Sequence, residues 1–179
     1  MIRKSLACSA LLLAAALAAC GPSADPREAH AFRAPEKVDA CTLFPPEEAQ
    51  AIAGSGVSLL SSAYEDAQGR APHQCSYNAG SAEAPQILSL EVRPAKTVAE
   101  AERRQAASRP FLQTLSKGQV QDVSGVGDAA FWAGGTVGQL HTRKGAVWLV
   151  VTIQAGKDPL GAARRVAEQA FARMRPAKR

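Results

Sequence analysis

The chain has 179 residues and a net charge of +5, with 46% hydrophobic and 21% charged residues. That length and balance fit one globular domain and exclude a disordered chain, a collagen-like repeat and a multi-span membrane protein. Two of the basic residues, Arg3 and Lys4, fall in the first segment, so the surplus on the remainder is too small to argue for nucleic acid as a partner.

In chain order, Met1-Ile2-Arg3-Lys4 is a positive start, Leu6 to Leu17 is an apolar run of Leu and Ala, and the small residues Ala18 and Ala19 follow. This is the layout of an export signal. At about 1.5 Å per helical residue the run from Ser5 to Ala19 reaches roughly 22 Å, short of the roughly 30 Å of a bilayer core. Residues 1–19 are therefore expected to be a signal peptide and not a permanent span. Leu17-Ala18-Ala19-Cys20 resembles the bacterial lipobox. The resemblance implies cleavage before Cys20, a diacylglyceryl group on its sulfur and acylation of the new amine by a palmitate-type chain. One acyl chain holds a protein only marginally, whereas two or more make a stable anchor. The rival reading is an ordinary secretory signal that ends beside a cysteine. Gly21 stands where an aspartate retains such lipoproteins at the inner membrane. In a host with two membranes, that implies the periplasmic face of the outer membrane.

Between Gly21 and Val38 the prolines Pro22, Pro26 and Pro35 interrupt a stretch without apolar periodicity. Residues 20–38 are expected to be a lipidated cysteine and a flexible tether. Past Cys20, the mature chain holds Cys41 and Cys75. In an exported protein the simplest use of two such cysteines is one disulfide. A metal pair or a redox dithiol are the rivals, but there is no CxxC, and His73 near Cys75 has no further ligands at a recognisable spacing.

Pro45-Pro46-Glu47-Glu48 predicts a helix, with acids in the first turn where the backbone dipole favours them, and Gly54 closes it. Residues 57–60, 73–78 and 86–92 read as strands; in the last, Leu88, Leu90 and Val92 alternate with Ser89 and Glu91. Thr97-Val98-Ala99-Glu100 has capping-box spacing and starts a second helix, which Pro110 is expected to break or end. Residues 120–123 and 129–132 read as short strands, and 137–143 with 146–153 as a hairpin around Lys144-Gly145. Asp158 and Pro159 then start a helix in which Leu160, Ala163, Ala167, Ala170, Phe171 and Met174 recur at helical spacing. Three helices and six or seven strands with short connections predict a single α+β domain over 39–175, an antiparallel sheet with helices packed on one face and one disulfide, followed by a basic tail at 176–179.

The run Cys41-Thr42-Leu43-Phe44-Pro45-Pro46-Glu47-Glu48-Ala49, the strand Cys75-Ser76-Tyr77 and the segment from Val123 through Gly125, Gly127 and Asp128 to Ala130 are together similar to an actinobacterial-type family of small envelope lipoproteins of unknown function. The likeness covers residues 39–175 and preserves element order. It implies a fold and an envelope location, and no reaction. Pro45 departs from the family's usual capping threonine, which touches helix stability alone.

Gly125-Val126-Gly127-Asp128-Ala129-Ala130 matches the relaxed dinucleotide pattern GxGxxA. That chemistry needs a helix N-terminus behind the glycines, whereas Phe131-Trp132 and Gly134-Gly135 suggest a strand and a turn. Ser55 between two glycines is too short for a nucleophile elbow, and His30, His73 and His141 are scattered. With no HExxH and no P-loop, neither catalysis, cofactor nor metal is expected; a hydrolase with an unrecognised nucleophile and base is the minority reading. Trp132 and Trp148 fill the core or line a contact. Trp148 lies opposite the Val147, Leu149 and Val151 face and is the preferred ligand or partner residue. Arg164 and Arg165 lie in a basic C-terminal stretch that is either a solvated helix face or a contact for anionic headgroups or wall polymer. The expected function is a membrane-anchored, non-catalytic interaction or accessory module with an envelope protein partner. The alternative is a small-ligand carrier with a cleft near Trp148.

Overall fold

The computed structural model describes residues 25–174, apart from 36, 55, 64–72, 82–83 and 155. The signal segment, Cys20 and the basic tail lie outside them. Among the described residues no helix is long and apolar enough to cross a membrane.

The elements in order are a 3-10 turn at Pro26–Glu28, α1 (Ala40–Leu43), α2 (Pro46–Ala53), β1 (Ser58–Ala63), β2 (His73–Asn78), β3 (Ile87–Pro94), α3 (Val98–Leu115), β4 (Val120–Val123), β5 (Ala129–Ala133), β6 (Gly138–Lys144), β7 (Val147–Ile153) and α4 (Pro159–Arg173). All strands join one antiparallel sheet in the order β1-β2-β3-β7-β6-β5-β4. The fold is α+β with one Cys41–Cys75 disulfide.

The alternation within β7 shows why helices are needed on both faces. Val147, Leu149, Val151 and Ile153 point into the main core with Leu88, Leu90 and Val92 of β3 and the apolar side of α4. Trp148 and Val150, the residues between them, are buried as well. Their side of the sheet is covered by α3, whose Leu112 packs on Phe131 and Ala133 of β5. The helices thus do not share one face: α1, α2 and α4 lie on one side and α3 on the other. The reason is that β7 is apolar at every position but Thr152, so neither of its faces tolerates water.

Pairing directions make β3 and β4 parallel, with β7, β6 and β5 between them. A parallel return needs a long crossover, and α3 is that crossover. It continues through Pro110 to Leu115 and is not ended there. Pro110 and Ala106, whose carbonyl loses its helical partner at a proline four residues on, are both exposed, so water replaces the missing bond. The Arg109–Asp122 ion pair just before the proline and buried Leu112 just after it hold the helix to the sheet.

The segment from Asp25 to Pro35 is not a free tether either. Phe32 packs edge-on against Phe171 at 5.6 Å, its carbonyl accepts from Ala146 N–H, and the Glu28 carboxylate accepts from Val98 N–H at 2.6 Å. One aromatic contact, these two hydrogen bonds, the Arg27–Glu102 ion pair and the bond from Arg33 to Lys96 O dock a stretch without periodicity, which is why no pattern in the sequence shows it.

The disulfide joins α1 to the buried middle of β2 across a sequence separation of 34. Beside it, Tyr77 Oη donates to Phe44 O at 2.8 Å with the two rings edge to face. Replacing Cys41 and Cys75 together by alanine is expected to lower unfolding free energy by about 4 kcal/mol, the cost of freeing a loop of this length. Urea unfolding of the oxidised and the double-alanine chains measures it.

Candidate functional site

The second face of the sheet carries a row of three adjoining rings, the first two stacked and the third tilted. Phe131 and His141 are paired residues of β5 and β6 and lie parallel at 4.8 Å, and His141 and Trp148 follow at 5.7 Å. Arg93 lies over Trp148 at 4.4 Å, and Arg109 over Phe131 at 5.3 Å. Trp148 is therefore not a surface contact residue. It is 4% exposed, closed in by Arg93 and α3. Trp132 is also interior, on the opposite face, where its ring lies over Gly138, a position at which a Cβ would overlap the indole.

His141 Nε2 faces Gln139 Oε1 at 3.3 Å, and the ring is otherwise held by aromatic contacts. Burial, helped by the Arg93 charge, pushes its pKa from 6.5 down to about 3, so the imidazole is neutral at physiological pH. Gln105 of α3 donates to the carbonyls of Ala129 and His141, which ties the crossover to the sheet beside this ring.

Arg164 and Arg165 diverge. The Arg164 guanidinium donates to Ser124 O at 3.0 Å and lies against Gly125, whereas Arg165 is exposed. Arg164 thus braces the glycine loop from within the chain. That loop is a turn into β5, with Gly125 and Gly127 at positive φ, and not the start of a helix. Asp128 ends it by accepting from Gly145 N–H at 2.7 Å and from Arg143. The glycine segment therefore fastens the β6–β7 turn, and a Cβ at Gly127 would overlap the backbone of Arg143. His73 is buried at the start of β2, and among the described residues no three metal-binding side chains gather.

A cavity of about 350 Å³ lies at the far end of α3, between its last turn and the β5–β6 connection. Its wall includes Leu112, Leu115, Ser116, Ala133, Val137 and Gln139, and none of its lining residues is ionisable. Ser116 Oγ is buried without a partner. Two lining residues, Leu115 and Val137, are exposed by 62% and 42%, and Phe111, in the same last turns of α3, is exposed by 66%. Phe111 and Leu115 are neighbours one helical turn apart. An uncharged hollow rimmed by exposed apolar side chains suits an apolar group of another molecule, and it offers no acid or base for chemistry. This site is missing from the sequence reading because ending the helix at Pro110 hides the Phe111–Leu115 pair. The signal was the i,i+4 apolar spacing beyond the proline.

No family's sequence pattern, curated protein or solved structure matches the chain.

The pH behaviour of His141 is testable. In the unfolded chain the ring takes a proton near 6.5, in the fold near 3, so between those values the unfolded state binds more protons. Stability is fully present above about pH 6.5 and falls as the pH drops, by on the order of 1.4 kcal/mol per unit until about pH 3. His141→Phe, which keeps a stacked ring, is expected to flatten urea-derived stability between pH 6.5 and 4 relative to the unaltered chain.

Proposed function

We propose that this protein is a lipid-anchored envelope lipoprotein, at the periplasmic face of the outer membrane, whose domain is a non-catalytic interaction module that captures an apolar segment of an envelope partner. The anchor reading rests on Leu17-Ala18-Ala19-Cys20 and on the similarity of the cysteine, Cys-x-Tyr and glycine segments to small envelope lipoproteins. The capture reading rests on one observation, the exposed Leu115 and Val137 on the wall of an uncharged hollow, continued along α3 by exposed Phe111.

The placement of the two ends supports both together. The described chain begins at Asp25, beside the start of α3, where Arg27 pairs with Glu102 at 2.9 Å. The apolar rim lies at the other end of that 18-residue helix, with Leu115 roughly 20 Å from Glu102 at about 1.5 Å per residue. A lipid on Cys20 would hold the first end at the membrane and present the rim away from it, toward soluble or wall-bound partners. The volume of the hollow and the unpartnered Ser116 hydroxyl favour, as a second reading, a small uncharged ligand.

Cys20→Ala is expected to move the full-length chain from membrane to soluble fractions; unchanged membrane retention would refute the anchor. In-cell crosslinking then separates the two site readings. Leu115→Asp and Phe111→Asp change exposed positions, so thermal stability should hold while capture of a defined envelope partner falls about tenfold or more, as for aromatic and aliphatic anchors of interfaces generally. Undiminished capture would remove the rim from the interface. Recovery of a monomer carrying a small molecule in native mass spectrometry would favour the carrier.

A further inference from the structure

Residues 25–35 lie on the domain as a strap, on a seat built from the start of α3, the β6–β7 turn and the end of α4. Arg27 pairs with Glu102 at 2.9 Å, and Arg33 donates to Lys96 O at 2.8 Å. Glu28 accepts from the Val98 N–H through one carboxylate oxygen and pairs with Arg33 through the other. Phe32 closes over Phe171, its carbonyl accepts from the Ala146 N–H, and Lys144 Nζ stands 5.1 Å from its ring. Gly145 completes the seat, because a Cβ there would lie 2.4 Å from Phe32 N.

The strap is fastened less firmly than the elements beneath it. Arg27 and Arg33 keep 56% and 43% of their side-chain surface exposed. Ion pairs so open to water hold weakly and are screened by salt. The apolar contribution of the strap to the main core is part-buried Phe32 and Ala34. Every strand, the disulfide and α1 to α4 lie beyond Val38, which is itself buried in that core. The strap can therefore leave its seat while the domain stays folded, the local opening expected of a segment with few buried apolar contacts. Leaving the seat changes the reach of the chain. From Cys20 it spans at most about 17 Å to Asp25 but about 60 Å to Val38, at about 3.4 Å per residue.

We propose that residues 25–35 are a releasable spacer: seated, they hold the domain close to the membrane, and released, they let the rim near Leu115 reach partners farther away. The inference rests on the lipid anchor at Cys20 proposed above. A pull between a captured partner and that anchor acts first on Asp25 and Arg27 and last on Phe32, so the strap peels from its most exposed end.

Residue-resolved amide hydrogen exchange on the full-length chain in detergent tests the release without a membrane. The Val98 and Ala146 amides, whose acceptors belong to the strap, should exchange together and at least about tenfold faster than the β7 amides paired to β3 and β6. Raising the salt from about 0.1 to about 1 M should speed both. Phe32→Ala should speed exchange at distant Val98, and Glu28→Gln at distant Ala146, each by about tenfold with β7 unchanged, because the strap opens as one unit. Val98 and Ala146 amides that are as slow as those of β7, that lack protection altogether, or that respond only to the nearer variant would overturn the proposal. The spacer role is read on the lipidated chain in vesicles, by energy transfer from a dye on Gln113→Cys to acceptor lipids, which should fall in Phe32→Ala. Undiminished transfer beside faster exchange would overturn the spacer, whereas a chain that Cys20→Ala does not free from membranes would place the failure in the anchor.

Discussion

The structure depends on the double burial of β7. Every residue of this strand is withdrawn from water, and its backbone is paired on both sides, by β3 and by β6. A central strand of that kind needs apolar cover on each face. α4 supplies one cover directly, since it follows β7 and carries Ala162, Ala163, Val166, Ala167, Ala170 and Phe171 inward. The other cover comes from α3, which must start where β3 ends and deliver the chain to β4 beyond three strands. The length of that journey carries α3 past its proline and leaves its last turn projecting, with Phe111 and Leu115 outside and Leu112 inside. The hollow is a by-product of the same requirement.

Two meanders, three-stranded β1-β2-β3 and four-stranded β4-β5-β6-β7, are each followed by a helix and meet at β3 and β7. A two-fold axis through that seam would keep both helices on one face. α3 and α4 lie on opposite faces, so the halves are not symmetric copies within the sheet. The asymmetry has a use, because one helix alone could not seal both sides of β7.

The residues that make the sequence distinctive serve mainly to fasten. Cys41 with Cys75 and Tyr77 with Phe44 stitch α1 onto β2. Gly127 permits a close approach that lets Asp128 tie the β6–β7 turn, and Arg164 braces the same loop. Each is a local solution to a backbone group or a chain crossing that must be satisfied away from water. The apolar surface available for recognition lies elsewhere, at the end of α3, and is built from ordinary leucine, valine and phenylalanine.

Much of the chain was legible as a sequence. The alternation in β3 and β7, the capping residues Thr97 and Asp158 and the helical spacing after Pro159 are local patterns, and each corresponds to an observed element. The single pair of described cysteines, with its rivals lacking ligands, pointed to the disulfide. The docking of Phe32 onto Phe171, the survival of α3 beyond Pro110, the burial of Trp148 under Arg93 and the separation of Arg164 from Arg165 were decided only by the tertiary structure. The reason is physical: periodicity and caps record how a residue suits its own helix or strand. Whether a ring, a guanidinium or a proline meets water depends on what a distant part of the chain brings against it.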